Sequence, residues 1–175
     1  MVISLIGYRA TGKTTVAALL AERLGWPCSD TDAEIQQQSG KSIREIFEND
    51  GEATFRDLES HVIQEFARRH KWVLSLGGGA VLREENRSAI RVAGPVVWLS
   101  ASVSTIRHRL ENDAQTLHQR PSLTGRDPFD EIQEVLMVRT PIYQEIADLT
   151  VDTDALTPRQ IADQLIRDLD LSATM

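Results

Sequence analysis

The sequence predicts an α/β fold in which a parallel β-sheet carries helices on both faces. Short, continuously apolar segments alternate along the chain with segments whose apolar residues recur at helical spacing. Strands that are apolar throughout are typical of parallel sheets that are buried on both sides. With 175 residues, of which 41% are hydrophobic and 26% charged, the chain has the composition of one ordinary globular domain, residues 1–175.

Five short segments predict the strands of this sheet, and turn-forming residues bound several of them. Gly25-Trp26-Pro27 separates the first helix from the second strand, and Gly77-Gly78-Gly79 ends the third strand. The polar segment between residues 112 and 127 lacks clear periodicity and contains Pro121 and Gly125 as breakers. The predicted strands are residues 2–6, a short segment ending at residues 29–32, and residues 72–76, 96–99 and 149–151.

Helical spacing of apolar residues fills the intervals between these strands. The first helix carries Val16, Leu20 and Leu24 on one face, and the last has Pro158 near its first turn. Two short predicted helices follow, one with Ile35 and one with Ile43, Ile46 and Phe47. After a predicted turn at Asn49-Asp50-Gly51, a longer helix carries Phe55, Leu58, Val62, Ile63 and Phe66 on one face. The remaining predicted helices cover residues 84–91, 103–110, 129–146 and 158–169.

A phosphate-binding motif follows the first strand directly. Residues 7–14, Gly-Tyr-Arg-Ala-Thr-Gly-Lys-Thr, fit the pattern G-x-x-x-x-G-K-S/T in full, between a strand and a helix. Its glycines let backbone N–H groups surround a polyphosphate, and the helix N-terminus favours the same anion. Lys13 would reach the outer phosphates, and the Thr14 hydroxyl would bind Mg²⁺. The alternative is a glycine-rich turn that binds nothing; the complete motif favours a nucleoside triphosphate.

Two further polar motifs stand at predicted strand ends, where ligands bind in such folds. In Asp30-Thr31-Asp32, one carboxylate could face the metal and the other a substrate. The alternative role for these aspartates is a helix N-cap, which is compatible with metal binding. Gly77-Gly78-Gly79 indicates either the close approach of a ligand to bare backbone or a tight turn, and the sequence leaves both open.

Three arginines could bind an anionic substrate. Arg56 lies on the helix of Phe55, Arg120 precedes Pro121, and Arg139 lies in a later helix. The fork of a guanidinium group suits a carboxylate or a transferring phosphoryl group. Because a single arginine is ordinarily a solvated surface residue, spacing alone does not distinguish these three.

Composition narrows the classes of partner and compartment. The net charge of −7 argues against a nucleic-acid-binding surface, so anions must be bound by local arginines. No apolar run is long enough for a membrane span, and residues 2–6 are too short for a signal peptide. The single cysteine, Cys28, is expected to be a small residue near a strand in a reducing compartment. We therefore expect a cytoplasmic protein without membrane or nucleic-acid partners.

Taken together, the motifs resemble the shikimate kinase family, in the family's order and spacing from about residue 3 to 169. The resemblance implies a nucleoside-monophosphate-kinase-like, three-layer α/β/α fold with a five-stranded parallel sheet, a substrate-binding helical region at about 31–60 and a mobile lid at about 112–125. The matching motifs are Gly7-x4-Gly12-Lys13-Thr14, Asp30-Thr31-Asp32, Gly51-Glu52-x2-Phe55-Arg56-x2-Glu59, Gly77-Gly78-Gly79, Arg120-Pro121 and Arg139-x-Pro141-x-Tyr143.

The same resemblance implies transfer of the γ-phosphoryl group of MgATP to the 3-hydroxyl of shikimate, giving ADP, in aromatic amino-acid biosynthesis. On the donor side it assigns ATP to Gly7, Gly12, Lys13, Thr14, Thr15, Arg109, Arg120 and Pro158, with Arg109 and Pro158 on opposite faces of adenine, and Mg²⁺ to Thr14 and Asp30. On the acceptor side it assigns Asp32 as general base, Arg56 and Arg139 as the carboxylate clamp, Gly78 and Gly79 as backbone contacts, Phe47 and Phe55 as an apolar wall, and Glu59 as support for Arg56.

Two departures from the family pattern stand out, and two rival functions remain. Ser122 replaces a usual leucine in the lid, which we expect to change lid packing alone, and Arg9 adds a cation of unexplained role to the phosphate loop. One rival is a related kinase such as a gluconate kinase; the other is a catalytically silent binding module, which the presence of Lys13, Asp32 and Arg120 disfavours. A monomer is expected from the family.

Overall fold

The computed structural model describes residues 1–112 and 128–171. In this part of the chain five parallel strands form one sheet in the order β2-β3-β1-β4-β5, which confirms the predicted parallel sheet. The strands are β1 (Val2–Ile6), β2 (Cys28–Asp30), β3 (Trp72–Ser75), β4 (Val96–Ser100) and β5 (Leu149–Asp152).

The helices follow the predicted segments closely, with one difference. Where a turn was predicted at residues 49–51, residues 46–50 instead form a π-helical turn that leads directly into the next helix. The helices are α1 (Lys13–Leu24), α2 (Thr31–Ser39), the short α3 (Ile43–Glu45), α4 (Gly51–Ala67), α5 (Glu84–Ala93), α6 (Val103–Asn112), α7 (Pro128–Ile146) and α8 (Pro158–Asp168).

Two apolar layers enclose the sheet, which gives the three-layer α/β/α architecture. Side chains of a strand alternate between faces, so Val2 and Ile6 pack in one layer while Ile3 and Leu5 pack in the other. The first layer includes buried residues of α2, α4, α5 and α7, and the second is formed with α1 and α8. Burial on both faces explains why the central strands β1 and β4 are largely apolar, whereas the edge strands β2 and β5 are partly exposed and carry polar residues.

The strand register brings the polar motifs to one edge of the sheet. Ser75 pairs with Leu5 of β1 on one side and with Asp30 of β2 on the other. The phosphate loop after β1, the aspartates after β2 and the glycines after β3 therefore emerge side by side at the C-terminal ends of neighbouring strands. This edge is where parallel α/β sheets bind their ligands.

The predicted lid at 112–125, with Arg120 and Ser122, lies outside the described residues except for Asn112, the last residue of α6. Across residues 1–112 and 128–171, none of the helices is both long enough and apolar enough to span a membrane.

Candidate active site

The phosphate loop connects β1 to α1 and is shaped by contacts of its own. Gly7 has φ 140°, and a Cβ there would overlap the Leu99 carbonyl oxygen, so only glycine fits. The Thr11 hydroxyl and the Lys13 ammonium both donate to the Tyr8 carbonyl oxygen, at 2.8 Å and 2.6 Å. Two side chains of the loop therefore bind the same carbonyl oxygen at its start. The Lys13 side chain lies across the loop, and Lys13 is only 8% exposed.

The start of α1 adds the remaining donor-side residues of the motif. Gly12 is the N-cap of this helix, so its first N–H groups face the loop. Thr14 and Thr15 are exposed in its first turn. An exposed helix N-terminus beside a closed loop is a suitable site for a polyphosphate.

Ala10 holds a backbone conformation that alanine rarely adopts, with φ 61°. The Arg109 guanidinium of α6 donates to its carbonyl oxygen at 3.2 Å. The same guanidinium donates to the Thr153 hydroxyl at 3.0 Å and to the Thr153 carbonyl oxygen at 2.8 Å. Arg109 therefore ties the phosphate loop to the segment that follows β5.

A cavity of about 260 Å³ opens beside these contacts. The two predicted adenine-binding residues, Arg109 and Pro158, line the cavity, together with residues of the phosphate loop. Its lining is Ala10, Thr11, Gly12, Val16, Arg109, Thr153, Leu156, Pro158 and Ile161.

Asp30, at the end of β2, joins the first turn of α1 to the end of β3 through its carboxylate. One oxygen, Oδ2, accepts from the Thr14 hydroxyl at 2.7 Å and from the Ser75 hydroxyl at 2.9 Å. The other, Oδ1, accepts from the Asp32 backbone N–H at 3.0 Å, so Asp30 is the N-cap of α2. The N-cap role is therefore confirmed. Asp32 itself is half-buried in the first turn of α2.

The Thr14 hydroxyl and the Asp30 carboxylate are also suitable ligands for Mg²⁺. The ion prefers hard oxygen ligands and commonly uses one or two protein groups with phosphate oxygens and waters. Two oxygen donors 2.7 Å apart at the phosphate loop match that pattern. Among the described residues no group of three or more His, Cys, Asp or Glu side chains is arranged to hold a metal.

Arg56 is buried on α4 and held by two glutamates. Its guanidinium donates to Glu59 at 2.7 Å and to Glu52 at 3.3 Å, and Glu59 is completely buried. A Cβ on Gly79 would lie 2.6 Å from both terminal nitrogens of Arg56. The glycine therefore allows the guanidinium to lie directly against the backbone. The close approach that three glycines suggested does occur, and its partner is an arginine side chain.

Arg139 of α7 is similarly buried against Gly78. A Cβ on Gly78 would lie 3.4 Å from an Arg139 terminal nitrogen, 3.3 Å from the Gly7 carbonyl oxygen and 3.7 Å from the Arg9 backbone nitrogen. Gly78 is thus enclosed by the phosphate loop on one side and the arginine on the other. Two buried cations and a phosphate-binding loop meet at one glycine turn.

The two predicted apolar residues lie next to Arg56. The Phe47 and Phe55 rings are 4.7 Å apart, with Phe55 fully buried and Phe47 partly exposed. The Arg56 guanidinium carbon lies 5.2 Å from the centre of the Phe55 ring. The aromatic pair therefore forms one wall beside the first buried cation.

Arg9, which the sequence left unexplained, lies beside the buried ring of Tyr8. Its guanidinium carbon is 5.6 Å from the ring centre, and its buried Nε has no hydrogen-bond acceptor among the described residues. Burial raises the pKa of Tyr8, and the neighbouring Arg9 charge opposes this rise. The structure thus assigns Arg9 a contact with Tyr8 within the loop.

Tyr143 is the site residue to which sequence reasoning gave no role. Its hydroxyl donates to the Gly78 carbonyl oxygen at 2.6 Å, and the side chain is completely buried. Burial raises the pKa of Tyr143 to about 12, against the opposing charge of Arg139. The spacing Arg139-x-Pro141-x-Tyr143 could have indicated this role, because residues four apart share one face of a helix.

Comparison with known proteins identifies the family. The family model described as "SKI: Shikimate kinase" matches residues 9–170. A shikimate kinase of Rhodopirellula baltica is 44% identical over 163 residues, covering 93% of this chain and 87% of the relative. Another, of Oleidesulfovibrio alaskensis, is 43% identical over 166 residues, covering 94% and 95%.

The solved structures agree with this result. Shikimate kinase from Acinetobacter baumannii in complex with shikimate matches with a TM-score of 0.89 and 36% identity, over 98% of this chain and 93% of that one. This match confirms the nucleoside-monophosphate-kinase-like fold. The two arginines that lie against Gly78 and Gly79 beside the phosphate loop agree with the similarity to these kinases, which extends over nearly the whole chain. The chain therefore belongs to the shikimate kinase family.

Proposed function

We propose that this protein is an enzyme that transfers the γ-phosphoryl group of ATP to the 3-hydroxyl of shikimate, producing shikimate 3-phosphate and ADP. The observation that carries the proposal is the placement of two buried guanidinium groups against Gly78 and Gly79, next to the phosphate loop. Guanidinium forks bind a carboxylate in a fixed orientation, and shikimate carries one. An acceptor held there would lie beside the γ-phosphate of a bound nucleotide.

The donor half consists of the phosphate loop and the cavity beside it. The backbone of residues 7–12 would surround the phosphates, with Thr14 and Thr15 at the helix N-terminus. Lys13, now on the Tyr8 carbonyl oxygen, would move its ammonium to the outer phosphates. Adenine would enter the cavity between Arg109 and Pro158.

Thr14 and Asp30 would hold Mg²⁺, because their oxygens are adjacent and of the type the ion prefers. When bound, the ion neutralises charge on the β- and γ-phosphates. Asp30 would at the same time keep its N-cap bond to Asp32, which orients the first turn of α2. The two aspartates thus have different tasks at one strand end.

The acceptor half is built from two arginines, a carboxylate and an aromatic wall. Arg56 and Arg139 would clamp the shikimate carboxylate, and Glu59 would keep the Arg56 fork oriented. The backbone at Gly78 and Gly79 would contact ring hydroxyls, and Phe47 and Phe55 would pack against the ring. Asp32 would hydrogen-bond the reacting hydroxyl and accept its proton as general base.

Catalysis in this arrangement depends on positioning and charge stabilisation. Phosphoryl transfer requires little covalent participation by the protein, so aligning the acceptor oxygen with the γ-phosphate supplies much of the rate enhancement. Lys13 would stabilise charge on the transferring group, assisted by Arg120. Closure of the lid at about 112–125 would exclude water, which would otherwise accept the phosphoryl group.

The wider biological setting is part of the same proposal. The reaction belongs to the pathway to chorismate and the aromatic amino acids. We propose a single catalytic domain over residues 1–175, with a substrate-binding region at about 31–60, acting as a monomer in the cytoplasm. An enzyme of this pathway has no need of nucleic-acid or membrane partners.

The test is direct detection of the product. Purified enzyme, MgATP and shikimate are mixed, and ³¹P NMR is used to follow formation of a phosphomonoester bonded to the 3-position. The proposal predicts stoichiometric ADP and shikimate 3-phosphate, with rates lowered by orders of magnitude in Lys13→Ala and Asp32→Asn. Folded wild-type protein that releases ADP without forming this ester would refute it.

A further inference from the structure

We propose that Tyr143 is a positioning residue for the acceptor: its hydroxyl orients the peptide between Gly78 and Gly79, so that the Gly79 N–H faces the shikimate hydroxyls. The inference rests on the proposed function, because it concerns the acceptor half of that site. It assigns a role to a buried residue that the mechanism above does not use.

Tyr143 is held in one position by its surroundings. Its ring stacks on Trp98, with centroids 5.7 Å apart and planes 28° from parallel, and the side chain has no exposed surface. A buried phenol needs a hydrogen-bond partner, and the Gly78 carbonyl oxygen at 2.6 Å is that partner. Because the pKa of Tyr143 is raised to about 12, the hydroxyl keeps its proton and remains a donor throughout the physiological range.

The bond to Gly78 fixes the direction of the next N–H. The peptide is trans, so its carbonyl and its N–H point in opposite directions. A Gly78 carbonyl directed at Tyr143 therefore sends the Gly79 N–H away from the Tyr143 hydroxyl. Without the tyrosine hydroxyl, only the backbone hydrogen bonds of the turn would hold this peptide, and glycines on both sides would let it rotate more easily.

The neighbouring N–H groups of the turn are already used. Gly77 donates to the Thr31 hydroxyl at 2.9 Å, and Ala80 donates to the Gly77 carbonyl oxygen at 3.0 Å. For Gly78 N–H and Gly79 N–H, no acceptor is present within residues 1–112 and 128–171, although both glycines are buried. Buried backbone donors are nearly always paired, so these two are the available donors for a ligand.

Tyr143 also connects this peptide to the second arginine of the clamp. Arg139 precedes it by one helical turn, and its guanidinium interacts with the tyrosine hydroxyl and opposes the rise in its pKa. One hydroxyl thus contacts both the Gly78 carbonyl and the side chain that lies against Gly78. The residue would set the spacing between the carboxylate clamp and the backbone donor that reads the ring hydroxyls.

The test compares Tyr143→Phe with a matched control. Phenylalanine keeps the ring against Trp98 and removes only the hydroxyl. Asn86→Leu is the control, because the buried Asn86 amide donates to the carbonyl oxygen of Ala80 in the same turn, at 2.9 Å, outside the proposed contact. Thermal unfolding of both variants checks that they are folded before the kinetics are measured.

We expect Tyr143→Phe to raise the shikimate KM about tenfold, because the hydrogen bond that orients the Gly78–Gly79 peptide is lost. The ATP KM should change less than about twofold. The amide resonance of Gly79 should move in Tyr143→Phe without any substrate, because the hydrogen bond to the preceding carbonyl is lost. Asn86→Leu should leave both the shikimate KM and that resonance unchanged.

An unchanged shikimate KM with an unmoved Gly79 amide would overturn the proposal, as would equal KM changes in the two variants, which would indicate a purely structural role. If Tyr143→Phe fails to fold, the wild-type protein supplies the test: shikimate alone must shift the Gly79 amide more than that of Ala80. A wild-type protein inactive on shikimate would refute the proposed function, whereas the substrate-free Gly79 shift would still report on the tyrosine.

Discussion

The Arg56 guanidinium lies against the backbone of Gly79 so closely that a Cβ on this glycine would come within 2.6 Å of both terminal nitrogens. The contact explains a glycine at a position without positive φ. It also joins α4 to the turn after β3, so the acceptor clamp is seated on the same backbone that would read the acceptor hydroxyls.

Gly79→Ala should therefore impair shikimate binding. The added methyl group displaces the Arg56 guanidinium from the glycine, and because this guanidinium is buried and paired with Glu59, we expect the free energy of unfolding to fall as well. We expect the shikimate KM to rise at least about tenfold, the loss of one charged hydrogen bond, with the ATP KM unchanged. Steady-state kinetics with each substrate varied in turn measure both constants.

The control is Gly40→Ala. Gly40 ends α2 with φ 68°, and a Cβ there meets nothing within 4 Å. Its replacement should lower the free energy of unfolding by about 1 kcal/mol and leave both KM values unchanged. If the Gly79→Ala enzyme keeps the wild-type shikimate KM, the contact of Arg56 with Gly79 is not needed for shikimate binding, and the prediction is wrong.

Ala10 is the position where the phosphate loop stores backbone strain. Its φ of 61° costs a non-glycine residue about 1 to 2 kcal/mol, and Arg109 holds its carbonyl oxygen in that conformation. We expect Ala10→Gly to raise the free energy of unfolding by about 1 kcal/mol, measured by urea titration.

Lys71→Gly is the matched comparison, because the exposed Lys71 has φ 53° and lies away from the site. It should give a similar gain in stability, with no effect on ATP binding. If Ala10→Gly is less stable than the wild type while Lys71→Gly is more stable, the strain at Ala10 is contradicted.

Removing one partner of the buried ion pair between Arg56 and Glu59 should lower the free energy of unfolding strongly. Glu59 is completely buried, and its carboxylate accepts from Arg56 at 2.7 Å. Glu59→Gln removes the buried counter-charge of Arg56 and leaves only the exposed Glu52 at 3.3 Å; breaking a buried pair in this way costs about 3 to 5 kcal/mol. Urea unfolding of the variant should show this loss.

Glu65→Gln provides the control for that loss. Glu65 of α4 pairs at the same 2.7 Å with Arg69, which lies just beyond the end of this helix, and both side chains are exposed. Surface pairs contribute at most about 1 kcal/mol, so this variant should differ little from the wild type. Equal effects of the two substitutions would show that burial of Glu59 does not determine the energy of its pair.

Stability should fall with rising pH in the range where Tyr143 titrates. Its pKa is raised from 10.0 to about 12 by burial, so between these values the folded protein keeps a proton that the unfolded chain has lost. The contribution of Tyr143 to the free energy of unfolding is therefore fully present below pH 10.0. Above that pH it declines by about 1.4 kcal/mol per pH unit until the pH reaches the folded-state pKa.

Tyr143→Phe should remove that slope. Tyr8, whose pKa is also raised, contributes a decline of the same sign, but it is present in both proteins and cancels from their difference. Urea unfolding of both proteins at pH values between about 9 and about 12 measures the difference. Parallel stability curves over this range would contradict the raised pKa of Tyr143.

The sequence was sufficient to predict the order of strands and helices, because the central strands are largely apolar and the helices between the strands have apolar faces. The motif at residues 7–14 and Asp30-Thr31-Asp32 were predictable because their chemistry is local: a loop between a strand and a helix, and carboxylates at a strand end. Their meeting at one edge follows from parallel topology.

The contacts that complete the site depend on long-range packing and could not be predicted from spacing. Gly79 meets an arginine 23 positions earlier in the chain, and Gly78 meets Arg139 and a tyrosine hydroxyl that lies 65 positions away. The αL conformation of Ala10 is hidden by its residue type, since alanine rarely adopts it. The π-helical turn at residues 46–50 lies between α3 and α4, where the local residues suggested an ordinary turn.

The central claim is that two glycine-seated arginines select a carboxylate-bearing acceptor for the phosphate loop. A coupled assay of ADP release with shikimate, its uncharged methyl ester, quinate and gluconate tests this most directly. The account predicts the highest kcat/KM for shikimate and a value at least about 100-fold lower for the methyl ester, because the ester loses charge-assisted bonds to both Arg56 and Arg139. Equal kcat/KM for shikimate and its methyl ester would contradict the claim, whereas a preference for gluconate, which also carries a carboxylate, would contradict shikimate as the acceptor.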